Sequence, residues 1–492
     1  MTTFREDPPL NGHYSSTLLA VVLALAPDIV IATSFHFIAP EIGRALGANA
    51  TNLHTVEAIS NGGYAFGAIL GGFLKMRYRQ QQVFLASETL FILASLACAL
   101  APWFPVFAGG RIAQGLATGV LLVAAVPPLA TRFPAKKLPF TAAAINIAFF
   151  GAVTVGPLIG GAIALHGWRW LFEGVAFLGF ISLVLGFLSF PLHDAPEPKR
   201  RPDIMAFVYA LVGTVLPFYA VAQLGPHISF GKPIFWAPMT AGLAALVALI
   251  VTQYGNDDGL IPMTKVWHAV PLAGTLCAMV AGAAYVTFLI LNELFMEKGA
   301  GISALATGLS QWPGVVGLIV AALVFWRLFR TRFLPHLVLI GMGFLLAGGI
   351  MVGFLSVGGS MALPFAISAA IGIGAGATVA PGLWVAALSV EAQFLGRVFA
   401  LVELVRSEAD FLIGPAMRHV AQLGGATGPA LAAGVREAGW ITFGITAGGT
   451  LVMVLIYLGA GARPQRPDIE AWLVNPDRQA IKSPPVRWRP KA

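Results

Sequence analysis

The sequence has little charge. Only 11% of its 492 residues are Asp, Glu, Lys or Arg, whereas 57% are hydrophobic and the mean hydropathy is +0.80. A soluble domain carries about 25% charged residues, because charge covers the surface that faces water. The shortage excludes water as the solvent for most of the chain, and it excludes an ordinary soluble enzyme.

Cysteine is also scarce, and the short patterns of several site types are missing. Cys98 and Cys277 lie far apart in apolar stretches, which argues against a disulfide framework and favours two buried thiols. The sequence contains no GxxxxGK[ST] loop, which is the motif that would indicate an ATPase. Gly372, Gly374 and Gly376 spell GxGxG, but no strand pattern precedes them, so they favour close helix packing. We find no metal-ligand cluster and no nucleophile-base spacing, and we predict neither an enzyme nor a bound metal or cofactor.

Long apolar segments are what the sequence has in abundance. A membrane-spanning helix needs about 20 consecutive apolar residues, and we predict fourteen such helices. They are 15–39, 52–76, 82–101, 105–131, 139–165, 168–192, 205–223, 233–252, 268–295, 302–326, 335–357, 361–387, 395–416 and 439–460. The even count places both termini on the same side of the membrane.

Basic residues indicate which side that is. One set of alternate loops holds fourteen Lys and Arg residues, from Lys75 to Arg397, and the other holds six, from Arg44 to Arg436. Because basic loops are retained in the cytoplasm, both termini are predicted to be cytoplasmic. The same distribution explains the net charge of +8 without a nucleic-acid partner. The first apolar run is too long for a signal-peptide core, so we predict no cleaved signal.

A faint internal repeat suggests how the chain is organised. The basic segment 75–79 closes the second predicted helix much as 327–332 closes the tenth. We predict an all-α polytopic membrane protein with two six-helix halves, at 1–192 and 266–460. Residues 193–265 would form a linker and two inserted helices. Residues 461–492 would form a basic, Pro-rich cytoplasmic tail that is solvated and mostly irregular.

Several short motifs resemble those of one transporter family. The segment 156–161, GPLIGG, is similar to the antiporter signature GPxxGG; 168–172, WRWLF, is similar to WRWxF; and 111–115, RIAQG, is similar to RxxQG. With the helix count, these motifs resemble the fourteen-helix drug:proton antiporters of the major facilitator superfamily, often called the EmrB/QacA type.

The resemblance implies the major facilitator fold and a place in the bacterial inner membrane. It also implies proton-coupled export of lipophilic or amphipathic compounds from the cytoplasm. Small-molecule substrates, protons and the lipid bilayer are then the expected partners, and a periplasmic adaptor protein could receive the cargo.

Two other family motifs are imperfect in this chain. In the loop motif GxLaDrxGrk, Met76 stands where an acid is expected and Arg79 where a glycine is expected. In the first-helix motif LDxTIVNxALP, Ile31 stands at the acidic position and His36 at the asparagine. Asp28 lies three residues before Ile31, on the same helical face, and is a candidate for the missing acid.

Asp28, Glu57 and Arg111 are the candidate proton-coupling residues. A carboxylate in a partly desolvated cavity can bind and release a proton, and a nearby guanidinium adjusts its proton affinity. A guanidinium inside the bilayer costs at least a few kcal/mol unless it faces water or an anion. The alternatives are that Asp28 forms a structural pair with another helix, that Glu57 is a hydrated interfacial acid, and that Arg111 reaches the membrane surface.

Candidate substrate-cavity residues combine aromatic rings with a polar stripe on the second helix. A cavity for amphipathic molecules needs apolar walls and few polar anchors. Phe35, His36, Asn61, Tyr64 and Trp312 fit that description. Aromatic residues are equally common in helix packing.

Gly156, Pro157, Gly160 and Gly161 of the antiporter motif form a candidate hinge. Proline removes one intrahelical hydrogen bond, and glycine permits a kink and a close helix contact. The alternative is a well-packed Gly/Ala helix.

Glu403, Arg406 and Asp410 form a candidate charge stripe between the halves. Their i−3 and i+4 spacing allows Arg406 to pair within its own helix. Internal pairing would make a structural lock, whereas pairs that exchange partners would make a conformational switch.

We therefore predict proton-driven efflux by alternating access. One alternative is a carrier of the same fold for a specific metabolite or organic anion, with Arg111 binding the substrate. The other is a non-transporting membrane sensor or scaffold.

Overall fold

A computed structural model describes residues 8–192, 195–225, 229–254, 256, 259–475 and 477–486. Within these ranges the regular structure is helical, and His268 and Pro485 form an isolated β-bridge. The predicted all-α fold class is confirmed.

Seventeen α-helices follow one another along the described chain. They are α1 Tyr14–Leu46, α2 Ala50–Arg77, α3 Gln80–Ala99, α4 Phe104–Arg132, α5 Leu138–Ile163, α6 Arg169–Ser189, α7 Ile204–Ala222, α8 Pro233–Gln253, α9 Met263–Val266, α10 Ala269–Leu294, α11 Ala304–Leu309, α12 Trp312–Leu328, α13 Leu334–Val352, α14 Ala362–Leu388, α15 Leu395–Leu423, α16 Gly428–Gly459 and α17 Ile469–Val474.

Several predicted boundaries need correction. Helix α1 continues to Leu46 rather than ending at 39, so Arg44 lies in a helix and not in a loop. Helix α16 begins at Gly428 rather than at 439, and the predicted helix 302–326 is divided into α11 and α12. Helix α15 continues to Leu423 rather than ending at 416, so Arg418 lies in a helix and not in a loop.

Among the described residues, twelve helical segments are long and apolar enough to cross a membrane. The long helices outside this set are α2, which carries the predicted polar stripe, and α15, which carries six charged residues. The predicted number of fourteen spans is therefore not confirmed. Twelve spans still make a polytopic membrane protein.

The chain forms two compact units. The first comprises the described residues up to Pro134 together with Gly156–Val251, and the second comprises Ala135–Val155 together with the described residues from Thr252 onward. Helices α7 and α8 lie in the first unit. The boundary within α5 falls at the start of the GPLIGG motif.

In the first unit, α2 and α4 pack closely through glycines spaced four residues apart. A Cβ at Gly119 of α4 would overlap the Tyr64 carbonyl oxygen of α2, and a Cβ at Gly115 would overlap the Ser60 carbonyl oxygen. On α2, a Cβ at Gly67 would overlap the Leu116 carbonyl oxygen. Small residues at this spacing allow two membrane helices to bring their backbones together.

The linker before α7 attaches to the loop motif at the end of α2. The Glu197 amide donates to the Met76 carbonyl oxygen at 2.8 Å, and Arg77 Nη1 donates to the Arg200 carbonyl oxygen at 3.2 Å. Arg200 in turn pairs with Glu197 at 2.7 Å. The linker thus places an acidic residue beside the position where the motif lacks one.

In the second unit, α14 packs through the three glycines that spell GxGxG. A Cβ at Gly372 would overlap the Gly314 carbonyl oxygen of α12, and a Cβ at Gly376 would lie 2.9 Å from the Leu318 carbonyl oxygen. A Cβ at Gly374 would lie 2.6 Å from Leu345 Cγ of α13. The interpretation of these glycines as helix-packing residues is confirmed.

The tail is attached to the second unit. Trp472 of α17 is fully buried, and its Nε1 donates to the Val390 carbonyl oxygen at 2.9 Å. The amides of Ala480 and Ile481 both donate to the Leu388 carbonyl oxygen at 2.9 Å, and the Ala269 amide donates to Pro484 at 3.0 Å. The prediction of a solvated tail is wrong for these residues, because the tail satisfies backbone groups that the ends of α10 and α14 leave unpaired. Outside α17 the described part of the tail is mostly irregular, as predicted.

We expect Trp472→Ala to loosen the tail and lower the thermal stability of the protein. Removing a fully buried Trp side chain costs about 3 kcal/mol or more. Val474→Ala is the matched control, because Val474 lies in the same short helix and is 85% exposed. Melting temperatures in detergent should fall for the first variant and stay near wild type for the second. Equal melting temperatures would contradict a docked tail.

We expect Gly119→Ala to separate α2 from α4. The added methyl group collides with backbone rather than with a flexible side chain, and overpacking of this kind costs about 1–3 kcal/mol. Gly109→Ala is the control on the same helix, since a Cβ there meets nothing within 4 Å. Thermal unfolding should distinguish the two variants, and a Gly119→Ala protein as stable as Gly109→Ala would refute the close contact.

Candidate functional site

Arg111 lies at the centre of a buried ion cluster in the first unit. Its side chain is 1% exposed, and its Nη1 donates to Asp28 Oδ1 at 3.0 Å. Its Nη2 donates to Glu57 Oε1 at 3.0 Å, and its Nε donates to Glu57 Oε2 at 3.3 Å. The structure thus brings together the three residues predicted for proton coupling, from α4, α1 and α2. We call Arg111, Asp28, Glu57 and Gln114 the Arg111 cluster.

Gln114 and two serines hold Arg111 in place. Gln114 Oε1 accepts from Arg111 Nη1 at 2.7 Å, and Gln114 Nε2 donates to Ser95 Oγ at 2.7 Å. Ser95 Oγ donates to the Phe91 carbonyl oxygen at 2.8 Å. On the other side, Ser60 Oγ donates to the Arg111 carbonyl oxygen at 2.7 Å. A chain of hydrogen bonds therefore fixes α4 to α2 and α3 around the guanidinium.

The sequence offered a signal for one of these supports. Gln114 lies three residues after Arg111, so both side chains lie on the same helical face. Ser95 had no comparable signal, because its partner lies on another helix. The glutamine of the RxxQG motif is therefore a positioning residue for the arginine.

The geometry bears on the alternatives for Arg111 and Asp28. Arg111 is buried within the protein and donates to Asp28, Glu57 and Gln114. Asp28 is 7% exposed and does form a pair with another helix. Glu57 has 14% of its side chain exposed and is the most accessible member of the ion cluster.

The Arg111 cluster has one acid more than it has bases. With both carboxyl groups ionised, one positive charge faces two negative charges, and the cluster carries a net charge of −1. A buried net charge costs several kcal/mol that one added proton removes. The cluster is therefore suited to binding one proton, or to being neutralised by a cation.

The predicted substrate-cavity residues are divided between the two units. Phe35 is 3% exposed and stacks on Phe107, with ring centroids 6.4 Å apart. Phe107 also contacts the rings of Trp168 and Phe172 edge-on. In this conformation Phe35 packs in an aromatic core. Trp312 is 59% exposed and belongs to the second unit.

The polar members of that set lie in the first unit at different depths. Tyr64 is 5% exposed, and Asn61 is partly buried one turn before it. His36 is also partly buried, and its ring centroid lies 3.8 Å from that of Phe37. Asn61 and Tyr64 continue along α2 from Glu57, so the predicted stripe does extend from the Arg111 cluster.

The candidate hinge is a close contact between α5 and α1. Ser34 Oγ donates to the Gly156 carbonyl oxygen at 2.6 Å, and a Cβ at Gly156 would overlap Thr33 Oγ1. A Cβ at Gly160 would lie 2.9 Å from Ser34 Cα. Pro157 lies inside the helix, which continues to Ile163. The remaining glycine of the motif is the buried Gly161.

The candidate charge stripe on α15 is paired within its own helix. Arg406 forms ion pairs with Glu403 and Asp410, and its guanidinium lies 5.0 Å from the centroid of the Phe149 ring. This pairing has the geometry predicted for a structural lock. Glu408 on the same helix escaped the sequence analysis: it is buried, and its carboxyl oxygens have no hydrogen-bond partner among the described residues.

In the described part of the chain, no group of three or more His, Cys, Asp or Glu residues is arranged to hold a metal ion.

Comparison with known proteins identifies the family. The model of the Major Facilitator Superfamily matches residues 19–414. The uncharacterized MFS-type transporter YhcA of Bacillus subtilis is 26% identical over 348 residues, covering 70% of this chain and 64% of that protein. The chain belongs to the major facilitator superfamily, and it is a multi-pass membrane protein.

Other relatives include a second MFS-type transporter and a protein named for multidrug resistance. The uncharacterized MFS-type transporter EfpA of Mycobacterium tuberculosis is 25% identical over 438 residues, covering 84% of this chain and 80% of that protein. A multidrug resistance protein B homolog of the same species is 25% identical over 280 residues, covering 56% of this chain and 52% of that protein. The chain thus spans about two thirds or less of the length of several relatives.

Proposed function

From its membership of the major facilitator superfamily and from the Arg111 cluster, we propose that this protein is a proton-coupled exporter of lipophilic or amphipathic organic compounds. The single observation that carries the coupling mechanism is the excess acid beside Arg111. The substrate class is supported by the antiporter motifs and by the name of the multidrug resistance relative.

The proposed proton carrier is the Asp28–Glu57 pair. When both acids are ionised, Arg111 holds α1 through Asp28 and α2 through Glu57. A proton on either acid removes most of the charge-assisted attraction on that side. Proton binding would therefore loosen one helix from α4 while Arg111 remains paired with the other acid, which avoids leaving the guanidinium alone in hydrocarbon.

The contact between α1 and GPLIGG would pass this change to α5. Thr33 and Ser34, which contact Gly156 and Gly160, lie less than two turns after Asp28 on the same helix. A small shift of α1 at Asp28 would therefore displace the glycines of the antiporter motif. Alternating access needs such a link between the proton site and a moving helix.

The geometry weighs against the organic-anion alternative. Arg111 Nη1 donates to Asp28 and Gln114, and Nη2 and Nε donate to Glu57. A substrate anion would have to compete with two carboxylates that already occupy these donors. A cationic or neutral substrate fits a cluster with surplus negative charge better.

The proposal includes a location in the bacterial inner membrane with both termini in the cytoplasm. The basic loops support this orientation through the positive-inside rule. Protons would then enter from the periplasmic side as the substrate leaves. A periplasmic adaptor protein remains a proposed partner for receiving the cargo.

We expect Asp28→Asn and Glu57→Gln to uncouple transport from protons. Reconstituted vesicles loaded with a pH-sensitive dye report proton movement when cationic, anionic and neutral lipophilic compounds are added in turn. The wild-type protein should move protons only with compounds that it transports. Each variant should lose proton-driven accumulation to the background of protein-free vesicles, while substrate counterflow without a gradient is retained, because the amides cannot exchange a proton.

Glu173→Gln is the matched control, since Glu173 is an exposed acid on α6 of the same unit. It should keep both activities. A doubly substituted protein, with Asp28→Asn and Glu57→Gln, that still moved protons with substrate would disprove the coupling role. Loss of counterflow in the single variants would instead make these acids substrate-binding residues.

A further inference from the structure

A crevice in the second unit opens between α13 and α16. It encloses about 180 Å³, and its walls include Val338 and Leu339 of α13 and Val454 and Leu458 of α16. Leu339 is 46% exposed and Leu458 is 64% exposed, so the mouth of the crevice faces outward from the helices.

Two glycines give the crevice its depth. Gly274 of α10 and Gly382 of α14 lie in its floor, where the two backbones come close together. A Cβ at Gly274 would lie 2.6 Å from the Gly382 carbonyl oxygen, and a Cβ at Gly382 would lie 3.0 Å from Cys277 Sγ. Because glycine has no side chain, the space above this contact stays open.

The surroundings of the crevice restrict its occupant to hydrocarbon. Helices α10, α13, α14 and α16 all belong to the set that is long and apolar enough to cross a membrane. A crevice that opens sideways from such helices meets lipid chains and not water. An acyl chain can enter it without leaving a hydrogen-bonding group unsatisfied.

Positive charge gathers where the tail closes one end of the crevice. Pro464 of the tail and His336 of α13 both line it. Arg463 and Arg466 flank that proline and are exposed, as is Arg332 just before α13. Exposed arginines at the edge of a membrane-spanning segment attract anionic lipid headgroups and can donate two parallel hydrogen bonds to a phosphate.

We infer that the crevice binds an anionic phospholipid of the leaflet on the tail side. One acyl chain lies against Gly274 and Gly382, and the headgroup phosphate lies near Arg463 and His336. The lipid would join the helices of the second unit to the docked tail. This inference stands apart from the transport proposal, because it concerns a retained lipid rather than a cargo.

The test uses the full-length protein, stripped of lipid in detergent. Phosphatidylglycerol or phosphatidylcholine with identical acyl chains is added back. Native mass spectrometry counts bound lipids, and thermal unfolding gives the melting temperature. Wild type should retain one phosphatidylglycerol in preference to phosphatidylcholine, with a rise in Tm of at least about 2 °C.

Val454→Trp tests the acyl-chain site, because the larger side chain would fill the crevice. Leu455→Trp is the control: Leu455 is the next residue, is 60% exposed and does not line the crevice. The first should lose the retained lipid and its stabilisation; the second should keep both. Leu458→Trp, at the exposed rim, serves the same purpose if the first variant fails to fold.

A triple variant with His336→Gln, Arg463→Gln and Arg466→Gln tests the headgroup site. It should bind both lipids equally, whereas Arg201→Gln, at an exposed position of the first unit, should keep the preference for phosphatidylglycerol. Lipid binding that is the same in wild type and in both crevice-filling variants would show a non-specific lipid shell and overturn the inference. An unchanged preference in the triple variant would overturn the assignment of the headgroup.

Discussion

The interaction on which the first unit depends is the pairing of a buried guanidinium with carboxylates from two other helices. Arg111 cannot lose its proton, and in hydrocarbon its charge is costly unless anions surround it. Asp28 and Glu57 supply those anions at 3.0 Å. Because three helices contribute one residue each, the ion cluster fixes how α1, α2 and α4 are arranged. Any change in its proton content becomes a change in helix contacts.

Close backbone packing is what allows the cluster to form. Glycines on α4 let α2 approach until Ser60 reaches the Arg111 carbonyl oxygen at 2.7 Å. Glycines on α5 let α1 approach until Ser34 reaches the Gly156 carbonyl oxygen at 2.6 Å. The short side chains on the facing helices then take up hydrogen bonds that larger residues would prevent. The ion pairs and the small-residue packing therefore depend on each other. Helix α1, which carries Asp28, also contacts the antiporter motif.

In the second unit, a buried guanidinium is paired with carboxylates of its own helix. Arg406 takes both of its acids, Glu403 and Asp410, from α15 itself and faces the ring of Phe149. These two ion pairs lie within one helix, whereas the Arg111 cluster joins three. The proposed proton coupling therefore belongs to the Arg111 cluster.

The sequence predicted those features that follow from the free-energy cost of placing polar and charged groups in lipid. It predicted the apolar helices, and it identified Asp28, Glu57 and Arg111 because isolated charges in such helices need partners. It could not predict Ser95 or the docking of Trp472, since both depend on contacts between distant segments. The start of α16 at Gly428 was also missed, because its first turns contain Arg436 and Glu437 and do not resemble a membrane segment.

The central claim is that the acids beside Arg111 exchange one proton in a site shielded from water. Infrared difference spectroscopy of the purified protein in lipid, recorded as the pH is stepped, tests it most directly. A carboxylic-acid band that titrates reversibly should appear with the same intensity in wild type and in Glu403→Gln, and it should be weaker when Asp28→Asn and Glu57→Gln are combined, because the other buried acids remain. An identical band in that double variant would contradict the claim.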